Sequence, residues 1–574
     1  MTYDPITLAL VQNRLDHISR QMGWVMLRTA RSPIFQSHDF SCFITGPTGY
    51  LVSQADGCPV HTGSGGFAVR GLLKAFGDDI HEGDAFLLND PYLAGGNHLP
   101  DWVIARPVFS RGTVVGFTCN RAHQSDIGGG AAGTYNPLAT EIFHEGIRLP
   151  PIRVVERGEI RKDLWDMLLA NTRTPHLLDG DLRAMLGSTQ IGCERVAAIF
   201  DDLGHEQGMA YLDGILDHAD RRFRAEVESL PDGVYVGEEI SNNDCFTRTE
   251  IRYRVTLTVS GDQLTVDFTG TSPQIKGFKN SSFANTHAAT YTGLSSFFDP
   301  DLPRNEGTFR SVKLIIPYGC TLNPKPPAAT TFATAFPAHD IIQACWKALS
   351  QAVPSKTVAG WGKAIIPLSA GVDDAGATTY VLYHWNGLSG GGAVMNRDGL
   401  NQIAHLSTLG GLTLPNVELW EQLYPIHVHR HEFRRDAAGP GQWRGGTGIE
   451  YEADVLTDAN YSFRGEGLFD PSGFGAAGGL AGAAGQCTTF DGTGKEFTPP
   501  QYSLVGLPPV RIVLSSPAGG GVGSPSHRDP QSVLRDVRDG IVSETAAQSI
   551  YKVALTPDGR SVDAERTRAL RASA

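Results

Sequence analysis

Apolar residues recur at helical spacing near the start of the chain. Val11, Leu15, Ile18, Met22 and Val25 form one stripe, and Asp4-Pro5 supplies a cap residue followed by a proline at the first helical position. The period then changes. Residues 40–45 and 50–54 flank Gly46-Pro47-Thr48-Gly49 and predict a β-hairpin. The loop 59–66 leads into a short helix over 67–76. Residues 102–109 and 113–120 are rich in β-branched and aromatic side chains on either side of Ser110-Arg111-Gly112, which predicts a second hairpin. Residues 160–225 read mainly as helices. Strands over 233–238, 247–260 and 263–269 alternate with period two, so one face is buried. Helix returns at 284–300 and 337–353. Residues 360–475 mix strands with glycine loops, and the tail, 530–551, reads as helix again. The Gly- and Ala-rich stretch 467–485 fits either a flexible linker or a close-packed glycine loop.

This succession predicts a mixed α/β fold of the α+β kind, multidomain and β-rich, with glycine loops and an N-terminal helix. The expected segments are 1–230, 231–355, 356–529 and a helical tail, 530–574. The 67 Gly and 34 Pro fit a chain with many turns and short strands. A formal net charge of −13, with no basic stripe, argues against nucleic acid as a partner. No segment reads as a signal peptide or as a span long enough for a bilayer. The eight cysteines form no CxxC pair and suit a reducing compartment, so a cytoplasmic location without membrane attachment is expected.

The chemistry concentrates between residues 86 and 130. His98 and Asp101 sit three apart in a loop bearing Gly and Pro. A hairpin with its midpoint near Arg111 sets Asp101 roughly opposite His123. Two imidazoles and a carboxylate then gather at its open end, with Asp126 just beyond. That set suits a Zn²⁺ or Mn²⁺ site; a polar network ordering the loop by hydrogen bonds is the alternative. Asp39 stands at the mouth of the first hairpin. The glycine runs 128–130 and 519–523 have the composition to aim backbone N–H groups at an anion, or simply to turn tightly. Arg434, Arg435 and Arg444 beside glycine turns suit either an anion clamp or a structural Arg–Asp pair. Cys119 serves as a thiol nucleophile only if its strand parity does not turn it inward. Neither a P-loop nor a nucleophile elbow is present, so ATP binding by this chain is not expected.

Longer motifs run along the whole chain: DPITLALVQNRL, RTARSPIFQSHDFSC, QADGCPVHTGS, NDPYLAGGNHLPD, AHQSDIGGG, NPLATEIFHEGIRLPPIRV, VDFTGTSPQ, NEGTFRSVKLIIPYGCTLNPKPPAA, GPGQWRGGTG and SPAGGGVGSP. In these the chain resembles, over its full length, the hydantoinase B family, which also includes one half of 5-oxoprolinase and subunits of acetone and acetophenone carboxylases. The resemblance implies a hydantoinase B-type fold and a metal held by Asp39, His98, Asp101 and His123. Asp126 is then expected to orient His123 or a water, so that Asp126, His123 and Asp101 carry the catalytic roles. It also implies a hetero-oligomer with a hydantoinase A-type subunit that binds ATP and Mg²⁺. The partner phosphorylates a small cyclic amide, and this chain hydrolyses the phosphorylated intermediate. The alternatives are a subunit of an ATP-dependent ketone carboxylase and a non-catalytic scaffold. Many relatives read PVHLGSM where this chain has Thr62 and Gly65 in place of an apolar pair, which points to a different substrate from hydantoin itself.

Overall fold

The computed structural model describes residues 4–55, 57–373, 378–403 and 405–572. The chain forms two compact units, Met1–Ala352 with Ser407–Thr413, and Val353–Leu406 with Leu414–Ala574. The four segments expected from the sequence thus lie within two units. The first unit continues through residue 230 because Phe223 of the helix His205–Glu228 packs on Phe298 and Phe309.

The first unit is built on a seven-stranded sheet. Its strands are β1 (Phe40–Thr45), β2 (Leu51–Gln54), β3 (Ala85–Leu88), β4 (Asp101–Ser110), β5 (Thr113–His123), β6 (Ile152–Glu156) and β7 (Glu159–Ile160), in the order β2-β1-β5-β4-β3-β6-β7. Every neighbouring pair is antiparallel. The β4–β5 hairpin turns through Arg111 and Gly112, both at positive φ, with Ser110 opposite Thr113. Two left-handed residues give the turn a twist that matches the strands.

Strand parity divides the sheet's faces. Phe43, Val103, Ala105, Phe117 and Cys119 pack on Ala68, Val69 and Leu72 of the helix Gly65–Phe76. Thr118 and Asn120, pointing the other way, hydrogen-bond to the carbonyls of Thr189 and Met185 on the helix Pro175–Leu203. The N-terminal helix Pro5–Thr29 is capped by Asp4, whose carboxylate accepts the Thr7 N–H at 2.9 Å. Its buried stripe is Val11, Leu15, Ile18, Met22 and Met26, with Met26 in place of Val25; both lie at the edge of a 3.6-residue stripe.

The same unit carries a four-stranded sheet of β8 (Gly233–Asn243), β9 (Arg248–Ser260), β10 (Gln263–Asp267) and β11 (Val312–Ile315). The helix Ala338–Ala352 lies so close to β8 that any Cβ at Gly237 would strike the Ala344 carbonyl.

The second unit holds a four-stranded and a five-stranded sheet beside glycine-rich segments that run alongside one another. The Gly519 N–H donates to the Gly446 carbonyl, Gly446 to Gly391, Gly520 to Gly360, and Gly521 to Leu480. A side chain at Gly519 would collide with the Gly391 carbonyl, and one at Gly482 with that of Ala518. Residues 467–485 are therefore a close-packed glycine loop, not a linker. The N–H groups of residues 519–523 are all spent on carbonyls, which leaves no cradle for an anion. Arg444 is a structural pair: it is buried and bonds Asp536 at 2.8 Å and Asn401 at 3.1 Å. Arg434 donates to the Ala484 carbonyl. The expected tail helix divides into Pro530–Arg538 and Glu544–Ser549, because Gly540 at positive φ ends the first. Both pack with Ala438 in one apolar cluster.

Candidate metal centre

The β4–β5 register places Asp101 directly opposite His123. Strand β1 pairs with β5 so that Phe40 faces Ala122, and the His123 N–H donates to the Asp39 carbonyl at 3.1 Å. Asp39, Asp101 and His123 occupy odd positions, the parity that faces the helix Gly65–Phe76. They crowd together at the sheet's end as Phe43 and Cys119 do further in. His98 enters from the loop before β4. Its Nε2 lies 2.8 Å from Asp101 Oδ1, and His123 Nδ1 lies 3.1 Å from the same oxygen and 4.0 Å from Asp39 Oδ2. Asp101, His98 and His123 are buried, and Asp39 retains 14 % side-chain exposure. All four residues expected to hold a metal therefore converge.

Residues outside the expected set complete the cluster. His61 Nε2 sits 3.1 Å from Asp101 Oδ2 and 3.7 Å from Asp39 Oδ1. Cys58 Sγ lies 3.7 Å from Asp39 Oδ1. Asn97 donates to Asp101 Oδ2 at 2.7 Å. His61 rides on the one-turn helix Pro59–Thr62, whose position is fixed by the buried Arg121 reaching its carbonyl at 2.9 Å. The sequence signal for His61 was its place in the loop just after the first hairpin, but nothing in the spacing shows that this loop folds back over the sheet's end. Tyr135 stacks on the His123 ring.

Electrostatics and geometry fit a divalent cation. Burial alone raises the pKa of Asp101, but His61 and His98 beside it hold it well below the usual carboxylate range. Burial drives the Cys58 thiol up, and the nearby Asp39 and Asp101 carboxylates add to this. His98 Nδ1 lies 2.5 Å from the Thr331 carbonyl, which can only accept, so this nitrogen carries the proton. The buried Nε2 makes no aligned hydrogen bond although it lies at ion-pair distance from Asp101. The Nε2 edge of the imidazole thus faces a carboxylate oxygen, and a cation that displaced its proton would be shared between the two. Two carboxylates and two imidazoles make the mixed oxygen and nitrogen donor set that Zn²⁺ and Mn²⁺ accept.

The Asp126 carboxylate, expected to orient His123 or a water, makes its hydrogen bonds to the loop that follows it. It accepts the N–H groups of Gly128, Gly133 and Arg173 at 2.9–3.1 Å and pairs with the Arg173 guanidinium at 3.0 Å. The glycine run after it is spent the same way: Gly130 donates to the His144 carbonyl, and a Cβ at Gly129 would strike the Glu145 backbone. Asp126 therefore closes a loop. Asp126→Asn is expected to lower stability by about 1–3 kcal/mol, the range for a lost charged hydrogen bond, with metal content unchanged. Thermal melting and elemental analysis of the purified variant measure both; a normal melt with lost metal would return Asp126 to the site. Cys119 is no nucleophile, since it is buried in the apolar cluster and desolvation drives its thiol far up.

Glu145 is a further buried carboxylate near the cluster. Burial pushes its pKa up to about 7 against hydrogen bonds from the Thr330 and Thr331 N–H groups. A cavity of roughly 80 Å³ borders the Pro59–Thr62 turn and is lined by Thr62, Tyr291, Asn305 and Leu409 among others, but by none of the clustered side chains. Among the described residues no helix is long and apolar enough to cross a membrane.

Comparison with known proteins identifies the family. The beta chain of the caprolactamase of Pseudomonas jessenii is 34 % identical over 100 % of both chains. The crystal structure of the ATP-dependent caprolactamase from that organism superposes with a TM-score of 0.92, at 32 % identity over 100 % of both chains. The B component of a putative D-/L-hydantoinase of Pseudomonas sp. (strain NS671) is 30 % identical over 99 % of this chain and 98 % of its own. A nucleotide-free acetone carboxylase structure shares the fold, with a TM-score of 0.90 at 20 % identity over 99 % of this chain and 83 % of that one. Residues 4–525 match the hydantoinase B/oxoprolinase family, and the chain belongs to it.

Proposed function

We propose that this chain is the hydrolytic subunit of an ATP-dependent cyclic amide hydrolase, with one Zn²⁺ or Mn²⁺ held by Asp39, His98, Asp101 and His123. The observation that carries the reading is the buried cluster in which His98 Nε2 faces Asp101 Oδ1 at 2.8 Å without an aligned hydrogen bond. Relatives named as a caprolactamase subunit and a hydantoinase subunit support a cyclic amide substrate and a partner chain. In this reading a hydantoinase A-type partner binds ATP and Mg²⁺ and phosphorylates the amide oxygen, and the phosphorylated imidate passes to this chain.

A divalent cation at the cluster supplies Lewis acidity and makes water acidic enough to ionise near neutral pH. The chain's own residues set the stage for attack. Thr331 fixes the His98 tautomer, Asn97 and His61 hold Asp101 Oδ2, and burial keeps bulk water away. Asp39, the most exposed of the four, marks the side from which substrate approaches. Water adds to the activated carbon and the ring C–N bond breaks, with a proton going to the departing nitrogen. The acyl phosphate that remains is hydrolysed by a second water to carboxylate and phosphate. C–N cleavage must come first, because losing phosphate from the adduct would simply regenerate the amide.

The test combines this chain, a hydantoinase A-type subunit, ATP and a panel of lactams, hydantoins and aryl ketones. Ring-opened product and phosphate are expected only with both chains, and without bicarbonate. Bicarbonate-dependent consumption of a ketone would instead make it a carboxylase subunit, the fold's other known setting. The chain alone is expected to show no ATP binding by isothermal titration, since it carries no P-loop. Micromolar binding at one site would contradict the division of labour.

A further inference from the structure

We infer that Glu145 is a positioning residue for the metal centre: it clamps the Thr330–Thr331 backbone so that the Thr331 carbonyl holds His98 in the tautomer that directs Nε2 at the ion. The inference rests on the proposed metal site and goes beyond its four ligands.

The chain of contacts is continuous and buried. Glu145 Oε1 accepts the Thr330 N–H at 2.9 Å and the Thr331 N–H at 2.7 Å, and Oε2 accepts the Thr330 N–H at 3.0 Å. Two successive N–H groups gripped by one carboxylate fix the orientation of the backbone there. The next carbonyl, that of Thr331, lies 2.5 Å from His98 Nδ1. Thr334 Oγ1 is the other polar atom near that nitrogen, at 3.4 Å, and a hydroxyl can donate as well as accept, so only the carbonyl dictates which nitrogen keeps the proton. Glu145, Thr330, Thr331 and His98 are all buried.

Glu145 is itself firmly seated. It follows the short turn Ile142–His144, whose Ile142 N–H donates to the Pro327 carbonyl at 2.8 Å, and Gly129 packs on its backbone too closely to admit a side chain. A carboxylate is costly to bury, and the partners it has gained here are backbone N–H groups on the far side of His98 from Asp101. Above about pH 7, where Glu145 is ionised, a negative group behind the Nδ1–H side of a ligating imidazole orients the ring and raises its basicity toward the ion, and loss of such support typically costs about 10–100-fold in metal affinity.

The experiment titrates Co²⁺ into the metal-free full-length chain and follows visible absorption, with affinity set against a competing chelator. Glu145→Gln keeps an acceptor oxygen but removes the charge; Glu145→Asp keeps the charge and withdraws it by one methylene. Asp126→Asn is the control, because it removes a carboxylate equally buried and equally bonded to backbone N–H groups but outside the cluster. Glu145→Gln is expected to bind Co²⁺ about 10–100-fold more weakly with a displaced absorption band, Glu145→Asp to fall between it and wild type, and Asp126→Asn to match wild type. If Glu145→Gln does not fold, Glu145→Asp reads the same affinity and band. Wild-type affinity and spectrum in the Glu145 variants would overturn the inference alone, as would an equal loss in Asp126→Asn. A wild-type chain that binds no Co²⁺ would overturn the metal site and this inference together.

Discussion

Asp101→Asn is expected to strip the metal from a chain that still folds, and to silence the assembled complex. Asp101 is the hub of the cluster, with Oδ1 facing His98 and His123 and Oδ2 facing His61 and Asn97. Asn keeps the size and the hydrogen bond to one oxygen, yet it takes away the negative charge that balances three imidazoles and an ion. Folding is spared because a neutral amide is cheaper to bury than a carboxylate. Metal content is expected to fall below about a tenth of wild type, and turnover by more than the roughly 100-fold that marks loss of a supporting contact. Elemental analysis, circular dichroism and the lactam assay with the partner present read the three quantities. His98→Ala and His123→Ala are expected to lose metal in the same way. Full metal content in folded Asp101→Asn would end the assignment of the centre.

The parts of this centre that were legible in the sequence are those tied to local geometry. A two-residue turn at Arg111 and Gly112 starts the hairpin, and a bulge at Val115 adds the one residue that brings Asp101 opposite His123 rather than Ala122. The same logic places Asp39 at the mouth of its own hairpin, but the sequence has no local signal that β1 pairs with β5. That pairing is long-range, and for Asp39 the family resemblance carried the expectation. His61, Asn97 and Glu145 were missed for the same reason. Each reaches the cluster from a loop whose course is set by contacts far along the chain, such as Arg121 to the His61 carbonyl and Glu145 to the Thr330 and Thr331 N–H groups. Asp126 follows His123 by three residues, yet the chain leaves the strand at His123 and turns the carboxylate into the loop closed by Arg173.

Glycine was misleading in a related way. Runs of Gly read in isolation suggest anion cradles, since their N–H groups can converge. In the second unit the runs meet one another instead, and each N–H is answered by a carbonyl of the neighbouring run. Composition alone does not distinguish these outcomes, because the deciding partner is another glycine segment tens of residues away.

The stabilisation that metal confers is expected to vanish as the pH falls. Burial works to lower the His98 pKa, but the Asp101 carboxylate outweighs it and holds the metal-free imidazole above its ordinary value. A group whose folded-state pKa is raised stabilises the metal-free chain fully below its unfolded value, and that contribution fades as pH rises through the folded one. The metal behaves oppositely, since it needs Nε2 unprotonated, and its affinity falls about tenfold per pH unit for each proton it must displace. Asp101 stays ionised throughout this range because its own pKa is held well below the usual carboxylate value, so the change reports protonation of the imidazoles and of Glu145, whose pKa burial pushes up to about 7. At pH 8, with free metal near 1,000 times its dissociation constant, the loaded chain is expected to exceed the chelator-treated chain by about 4 kcal/mol. Near pH 5.5 the two are expected to melt together. Paired thermal melts across that range, at fixed free metal, measure the gap, and a gap that stayed constant from pH 8 to 5.5 would show that no imidazole of the cluster binds the ion.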